Sequence, residues 1–217
     1  MTGPDPWTGP EPFRELLRAA SPEQAARLVL GGVLTHGPVS TRVVEVEAYG
    51  GPSDSAHPDS AAHTWPGPTA RNEVMFGDAG FLYVYLSHGI HQCINITCRP
   101  RGEGGGVLLR AARVESGHEV VRARRPGIPA ERAARGPGNL GRTLGIDLSF
   151  RGTDLLDSSS PVTFRPAPLP DEEIRVGPRV GVSREPDRPW RFWLAGAREV
   201  SPYRRSPRAP RITHPAP

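Results

Sequence analysis

Val43-Val44-Glu45-Val46-Glu47-Ala48-Tyr49 reads as a β-strand, with β-branched residues and an alternation of period two. Successive strand side chains point to opposite faces of a sheet. Glu45, Glu47 and Tyr49 therefore share one face, and Val44, Val46 and Ala48 share the other. The apolar face belongs to a core. Two carboxylates and a ring are costly to bury together unless they line a pocket that uses them.

The same pattern recurs along the chain. Strands are expected at 42–49, 81–87, 92–98 and 106–113, and again at 161–165, 174–183 and 190–195. Helices are expected at 12–19 and after Ser21, where Ser21 and Gln24 form a capping box and Gly31-Gly32 ends the run. Ser116 and Glu119 resemble a second capping box, for a helix ending before Pro126. Residues 129–145 read as helical pieces broken by Gly136-Pro137-Gly138. The interval 50–72 is polar and Gly/Pro-rich, and too long for a neutral connector. The 217 residues fit one domain, expected over 11–203. Residues 1–10 and the Arg/Pro-rich tail 204–217 read as disordered.

The formal net charge of +4 is compatible with a polyanionic partner. All 27 basic residues are arginine, so no lysine is present to form a Schiff base. Cys93 and Cys98 are too few and wrongly spaced for a disulfide framework and read as reduced core thiols. The N-terminus has neither a basic nor an apolar signal region, and no run approaches a membrane span. A soluble, cytoplasmic protein is expected.

Four strands each place a polar or aromatic side chain near the middle: Glu47 with Tyr49, Tyr85, Asn95 and Arg110. Taken singly, each has a plain structural reading, since a mid-strand tyrosine is usually core and a Glu–Arg pair usually an ion pair. If their faces converge, together they build a pocket with a carboxylate, aromatic walls, an amide and a guanidinium. His57, His63, His88 and His91 match no strong zinc spacing, so no metal is expected. Gly136-Pro137-Gly138-Asn139-Leu140-Gly141 lacks the Gly-Lys-Ser/Thr ending of a P-loop, and a plain turn competes evenly with a phosphate cradle.

The ordered set Val44–Tyr49, Arg71-Asn72, Met75-Phe76, Leu82–Tyr85, Cys93–Ile96, Val107–Ala111, Gly136–Gly138, Arg179–Val182 and Trp190–Phe192 resembles the alkyladenine (3-methyladenine, methylpurine) DNA glycosylases. The resemblance implies a monofunctional base-excision-repair enzyme that flips alkylated or deaminated purines out of duplex DNA. It then hydrolyses the N-glycosidic bond with a Glu-activated water, leaving an abasic site. It implies Glu47 as general base, with Arg110 holding the water or nearby backbone. Tyr49 would stack on one side of the flipped base, with His57 and Tyr85 on the other. Asn95 would exclude the 2-amino group of guanine. Met75 would border the intercalation site, and Thr69, Arg71 and Leu108 would contact DNA. His88 stands where many members insert a tyrosine, and Asn139 where a lysine is frequent. The fold the resemblance implies is α+β, a single domain built on a curved, mainly antiparallel β-sheet of open-barrel type with flanking helices, and no cofactor is implied. The implied partner is double-stranded DNA carrying damaged purines, bound by a monomer at the nucleoid. Two other classes compete: a non-catalytic module that binds damaged DNA, and a metal-dependent hydrolase built on the histidines.

Overall fold

The computed structural model describes residues 9–167 and 169–210. Residues 1–8 of the expected disordered N-terminus and 211–217 of the tail lie outside the described residues.

Two helices, α1 (Pro10–Ala19) and α2 (Pro22–Val29), lead into β1 (Val33–His36) and the long β2 (Val39–Tyr49). After the loop come a 3-10 turn at Glu73–Phe76, β3 (Leu82–Ser87), β4 (His91–Thr97) and β5 (Gly106–Val114). Helices α3 (His118–Arg124), α4 (Ala130–Ala133) and α5 (Pro137–Leu144) precede β6 (Val162–Arg165), β7 (Ile174–Gly177) and β8 (Arg191–Leu194). The strands form one curled sheet in the order β3-β4-β5-β2-β1-β6, with β8 also on β2 and β7 on β8. Every strand pairing is antiparallel. The fold is a single α+β domain. Among the described residues, no helix is long and apolar enough to cross a membrane.

The alternation in the sequence fixes the register. Val46, Ala48, Leu82, Val84, Ile94, Ile96, Val107 and Leu109 all enter one core, with Ala25, Ala26 and Val29 of α2 and Leu140 and Leu144 of α5. Cys93 and Cys98 are buried free thiols, and burial pushes Cys98 up to about 12. The close packing of α5 on β4 explains two glycines of the 136–141 stretch. A Cβ on Gly138 would lie 2.7 Å from the His91 ring, and one on Gly141 would strike the Gln92 carbonyl.

The local expectations fare unevenly. Ser21 and Gln24 do form the capping box of α2. Ser116 caps nothing: its hydroxyl donates to the Pro38 carbonyl and accepts from Ser40 N, and the N-cap of α3 is Gly117, at φ 73° and without a side-chain cap. The strand expected over 174–183 stops at Gly177, because Pro178 has no N–H to continue the ladder. Strand β1 was not expected; it closes a hairpin with β2 through Gly37-Pro38, where Gly37 takes φ 55°. Residues 204–210 of the expected unstructured tail form no helix or strand but lie against the body. Arg204 accepts from Gly181 N at 2.9 Å, and Arg205 pairs with Asp187.

Candidate active site

The sheet's polar face carries one continuous cross-strand row. Tyr83 opposes Asn95, Asn95 opposes Leu108, Leu108 opposes Glu47, and Glu47 opposes Arg191. Tyr49 opposes Gly106, whose missing side chain leaves space for the Met75 methyl. Arg110 joins this face through a β-bulge. Val43 pairs with Ala112, Glu45 with Ala111 and Val46 with Leu109, so Val44 and Arg110 are skipped by the ladder. A bulge re-aims the side chain it carries. Here the guanidinium of Arg110 swings onto Glu45 and Glu47.

Glu47 is fully enclosed, but by polar partners rather than hydrocarbon. Its Oε1 accepts from Val180 N at 2.6 Å and lies 3.2 Å from Arg110 Nη1. Its Oε2 accepts from the Tyr49 hydroxyl at 2.8 Å. Burial and the neighbouring Glu47 charge hold the Tyr49 phenol protonated well beyond its ordinary range. Burial does the same for Tyr85. Although burial works against its charge, the neighbouring Glu47 and Glu45 carboxylates raise the Arg110 pKa above its ordinary value.

Across the Tyr49 ring from this acid lies a small cavity of about 80 Å³, lined by Tyr49, Ala61, His63, Met75, Tyr85 and Asn95. Four of these six are residues named from the sequence. Asn95 is held by its own donation to the Tyr83 carbonyl at 3.3 Å. Met75 is buried in the cavity wall on the 3-10 turn. Leu108 is also buried, between Asn95 and Glu47.

The histidine of the cavity is His63. Its ring meets Tyr85 edge-on at 4.5 Å and Tyr83 at 6.1 Å, and its Nδ1 lies 3.3 Å from the Tyr83 hydroxyl. His63 is nevertheless exposed to solvent. The surrounding protein, and the Arg71 charge, hold its pKa below the ordinary 6.5, so the imidazole is neutral at pH 7. His57, the histidine singled out from the sequence, does not line the cavity. It is half-buried on the loop, where its carbonyl accepts from Gly51 N at 2.9 Å.

The long loop is fixed by two devices that the sequence reading did not identify. Asp59 and Arg179 form a sealed bidentate ion pair at 2.6 and 2.9 Å. Asp59 also accepts from Gly50 N, at the start of the loop, and from Ala61 N, two residues before His63. Arg179 stacks over Tyr49 at 4.6 Å and Trp190 at 5.5 Å from the ring centres. The second device is Asn72. Its Oδ1 accepts from Thr69 N and Oγ1, while its Nδ2 donates to the His63 and Gly67 carbonyls. Thr69 and Arg71 are themselves exposed beside the cavity, along a second shallow depression that includes His63 and Tyr83.

His88 sits exposed at the β3–β4 hairpin tip with φ 50°, followed by Gly89 at φ 73° and by Ile90, which is 73% exposed. A large aliphatic residue so placed has no folding role, and Ile90 was not singled out from the sequence. Among the described residues, no three His, Cys, Asp or Glu side chains gather as a metal would need. Arg125 and Asn139 pair at 2.6 Å at the start of α5.

Replacing each histidine separates the two. His63→Ala is expected to weaken binding of a duplex with an extrudable damaged purine by roughly 1–3 kcal/mol, the value of one base–aromatic stack. His57→Ala is expected to leave it unchanged. Equal losses in a titration of both variants would contradict the geometry.

The sequence model of the methylpurine-DNA glycosylase family matches residues 16–198. A protein of Mycobacterium sp. strain KMS, provisionally named a 3-methyladenine DNA glycosylase, is 58% identical over 198 residues, covering 90% of this chain and 95% of its own length. A protein of Nocardia farcinica with the same provisional name is 56% identical, covering 87% of this chain and 90% of its own. A third, from Rhodococcus jostii, is 54% identical, covering 90% and 87%.

Proposed function

The chain belongs to the methylpurine-DNA glycosylase family and is a DNA glycosylase, a hydrolase of N-glycosyl bonds; on that premise we propose that it flips alkylated purines such as 3-methyladenine from double-stranded DNA and removes them with a water activated by Glu47. The observation that carries this reading is the adjacency of the enclosed carboxylate to the aromatic cavity, with Tyr49 as the wall between them. The chemistry follows from the parts. N-alkylation puts a positive charge on the purine and makes it a good leaving group. A cation of this kind is favoured by ring faces, by about 0.5–2 kcal/mol per contact. Tyr49 and Tyr85 offer such faces, and neutral His63 adds no repelling charge.

Glu47 takes the proton of the attacking water as the bond to the base breaks, and its charge favours the oxocarbenium-like sugar. Arg110 orients the carboxylate. Oε1 is engaged by Val180 N and Arg110, so Oε2, which the Tyr49 hydroxyl covers, is the oxygen available to the water once that hydroxyl yields. Flipping costs a few kcal/mol, least at damaged pairs, so selection starts before the cavity is entered. The exposed hairpin tip with His88 and Ile90 fills the gap the base leaves. Thr69 and Arg71 lie where the strand enters, and arginine contacts to phosphates carry no sequence information. The enzyme acts as a monomer, without cofactor.

The test is a glycosylase assay on duplex DNA carrying 3-methyladenine or hypoxanthine. Free base and an intact backbone at an abasic site are expected, unaffected by EDTA. Borohydride is expected to trap no enzyme–DNA adduct, because the nucleophile is water and no lysine exists. Tight binding without base release would make the protein a damage-binding module, and an efficient trap would overturn the water mechanism.

A further inference from the structure

Glu45 is the second carboxylate on the polar face of β2, and the reaction described above does not use it. It is buried completely and is saturated with donors. Its Oε1 accepts from Arg110 Nε at 2.9 Å, Arg191 Nε at 2.7 Å and Ser201 Oγ at 2.8 Å. Its Oε2 accepts from Ser201 N at 2.7 Å. We propose that Glu45, locked by Ser201 and Arg191, is a positioning residue that holds the Arg110 guanidinium in the one orientation that presents Nη1 to Glu47. The proposal rests on the reading of Glu47 as general base.

Three observations converge on it. First, each nitrogen of Arg110 has a separate partner: Nε on Glu45, Nη2 on Ser201 Oγ at 3.2 Å, and Nη1 against Glu47 at 3.2 Å. A guanidinium is a planar fork, so fixing two of its edges fixes the third. Second, the bulge that frees Arg110 from the ladder removes the backbone constraint on its side chain, and something else must supply it. Third, the charges balance only as a set. Glu45 and Glu47 face Arg110 and Arg191. Without Glu45, both arginines would be drawn to Glu47, and a carboxylate gripped by two guanidinium groups is a poor proton acceptor. Glu45 thus keeps Arg191 away from the base as well as holding Arg110 to it.

Ser201 follows the last strand and lies just outside the family-matched residues 16–198. Its carbonyl takes Arg191 Nη2 at 2.6 Å. Glu199 beside it pairs with Arg113 at 2.9 Å, which anchors the segment to β5. The post-strand segment therefore completes the site from behind.

A structural ion pair and a positioning residue differ in what a double-mutant cycle on the chemical step reports. Single-turnover base release and duplex affinity are measured for Glu45→Gln, Ser201→Ala, Arg110→Gln and the Glu45→Gln/Arg110→Gln pair. Misplacing a reacting group by an ångström costs on the order of 100-fold, so Glu45→Gln is expected to slow release by about 10- to 100-fold. Duplex affinity is expected to stay within about threefold. In the Arg110→Gln background the same change is expected to add less than about threefold, because its route to Glu47 is already gone. Ser201→Ala, which keeps both charges, is expected to slow release by about three- to tenfold and carries the test if Glu45→Gln does not fold. Equal effects in both backgrounds, a loss confined to affinity, or no effect of Ser201→Ala beside a non-folding Glu45→Gln would overturn the proposal. Failure of the underlying reading looks different: wild-type protein that releases no base, or a Glu47→Gln variant that releases it at the wild-type rate.

Discussion

Glu47→Gln is expected to bind damaged duplex and release almost no base. General-base catalysis contributes about 10²- to 10⁴-fold, or roughly 3–5 kcal/mol of barrier. The substitution is informative because the surroundings tolerate it. Its Oε1 can keep the bond from Val180 N, and its new amide can donate to the Tyr49 oxygen where the phenol now donates to the acid. Arg110 loses one anionic partner and retains Glu45. The cavity walls, Tyr49, His63, Met75, Tyr85 and Asn95, are untouched. Affinity is therefore expected to hold while the chemical step fails. Single-turnover base release beside a fluorescence-anisotropy titration gives both numbers. Release within about tenfold of wild type would remove Glu47 from its role.

The strands were legible because a period of two needs no tertiary information. Reading Glu45, Glu47 and Tyr49 onto one face led to the expectation of a pocket over β2; of the three only Tyr49 lines the cavity, with Glu47 behind its hydroxyl and Glu45 sealed against Ser201. The row from Tyr83 through Asn95 and Leu108 to Glu47 is that alternation summed over four strands. Arg110 belonged to the same expectation, but its route did not. The bulge that turns it is a property of the pairing of β2 with β5. The loop was the hardest to read. His63, not His57, faces the rings, on a loop tied down by Asp59 and Asn72, and Asp59 is held by Arg179, 120 residues away. No local pattern records that contact. The signal that existed was the pair of orphan charges: an acid inside a polar loop and an arginine in the apolar-flanked Pro178-Arg179-Val180 both need partners once buried. The extent of β7 failed for a local reason, since the Gly177-Pro178 break was present in the sequence and should have ended the strand there.

Breaking the Asp59–Arg179 pair is expected to produce a large loss of stability. Both side chains are sealed from solvent. Asp59→Ala strands a buried guanidinium that already carries one unpartnered nitrogen, Nε. The cost of leaving such a charge uncompensated is about 3–5 kcal/mol. For a domain of this size that corresponds to a fall in Tm of roughly 6–20 °C. The exposed pair Arg27–Asp171, at 38% and 85% side-chain exposure, is the control. Asp171→Ala is expected to cost less than about 1 kcal/mol, since solvent screens that pair. The pH dependence has a definite sign. Burial alone would raise the Asp59 pKa, but the bonds and charge of Arg179 with the Gly50 and Ala61 amides outweigh it and depress the folded value below the ordinary 3.8. The contribution of Asp59 is therefore complete above pH 4. It is lost as the pH falls below 3.8 through the folded value, because only the unfolded state then takes up the proton readily. Unfolding midpoints of wild type and Asp59→Ala are expected to differ most at neutral pH and to converge in acid. Midpoints within about 2 °C of each other at pH 7 would mean that the loop is held by Asn72 and its neighbours alone, and that His63 reaches the cavity without this anchor.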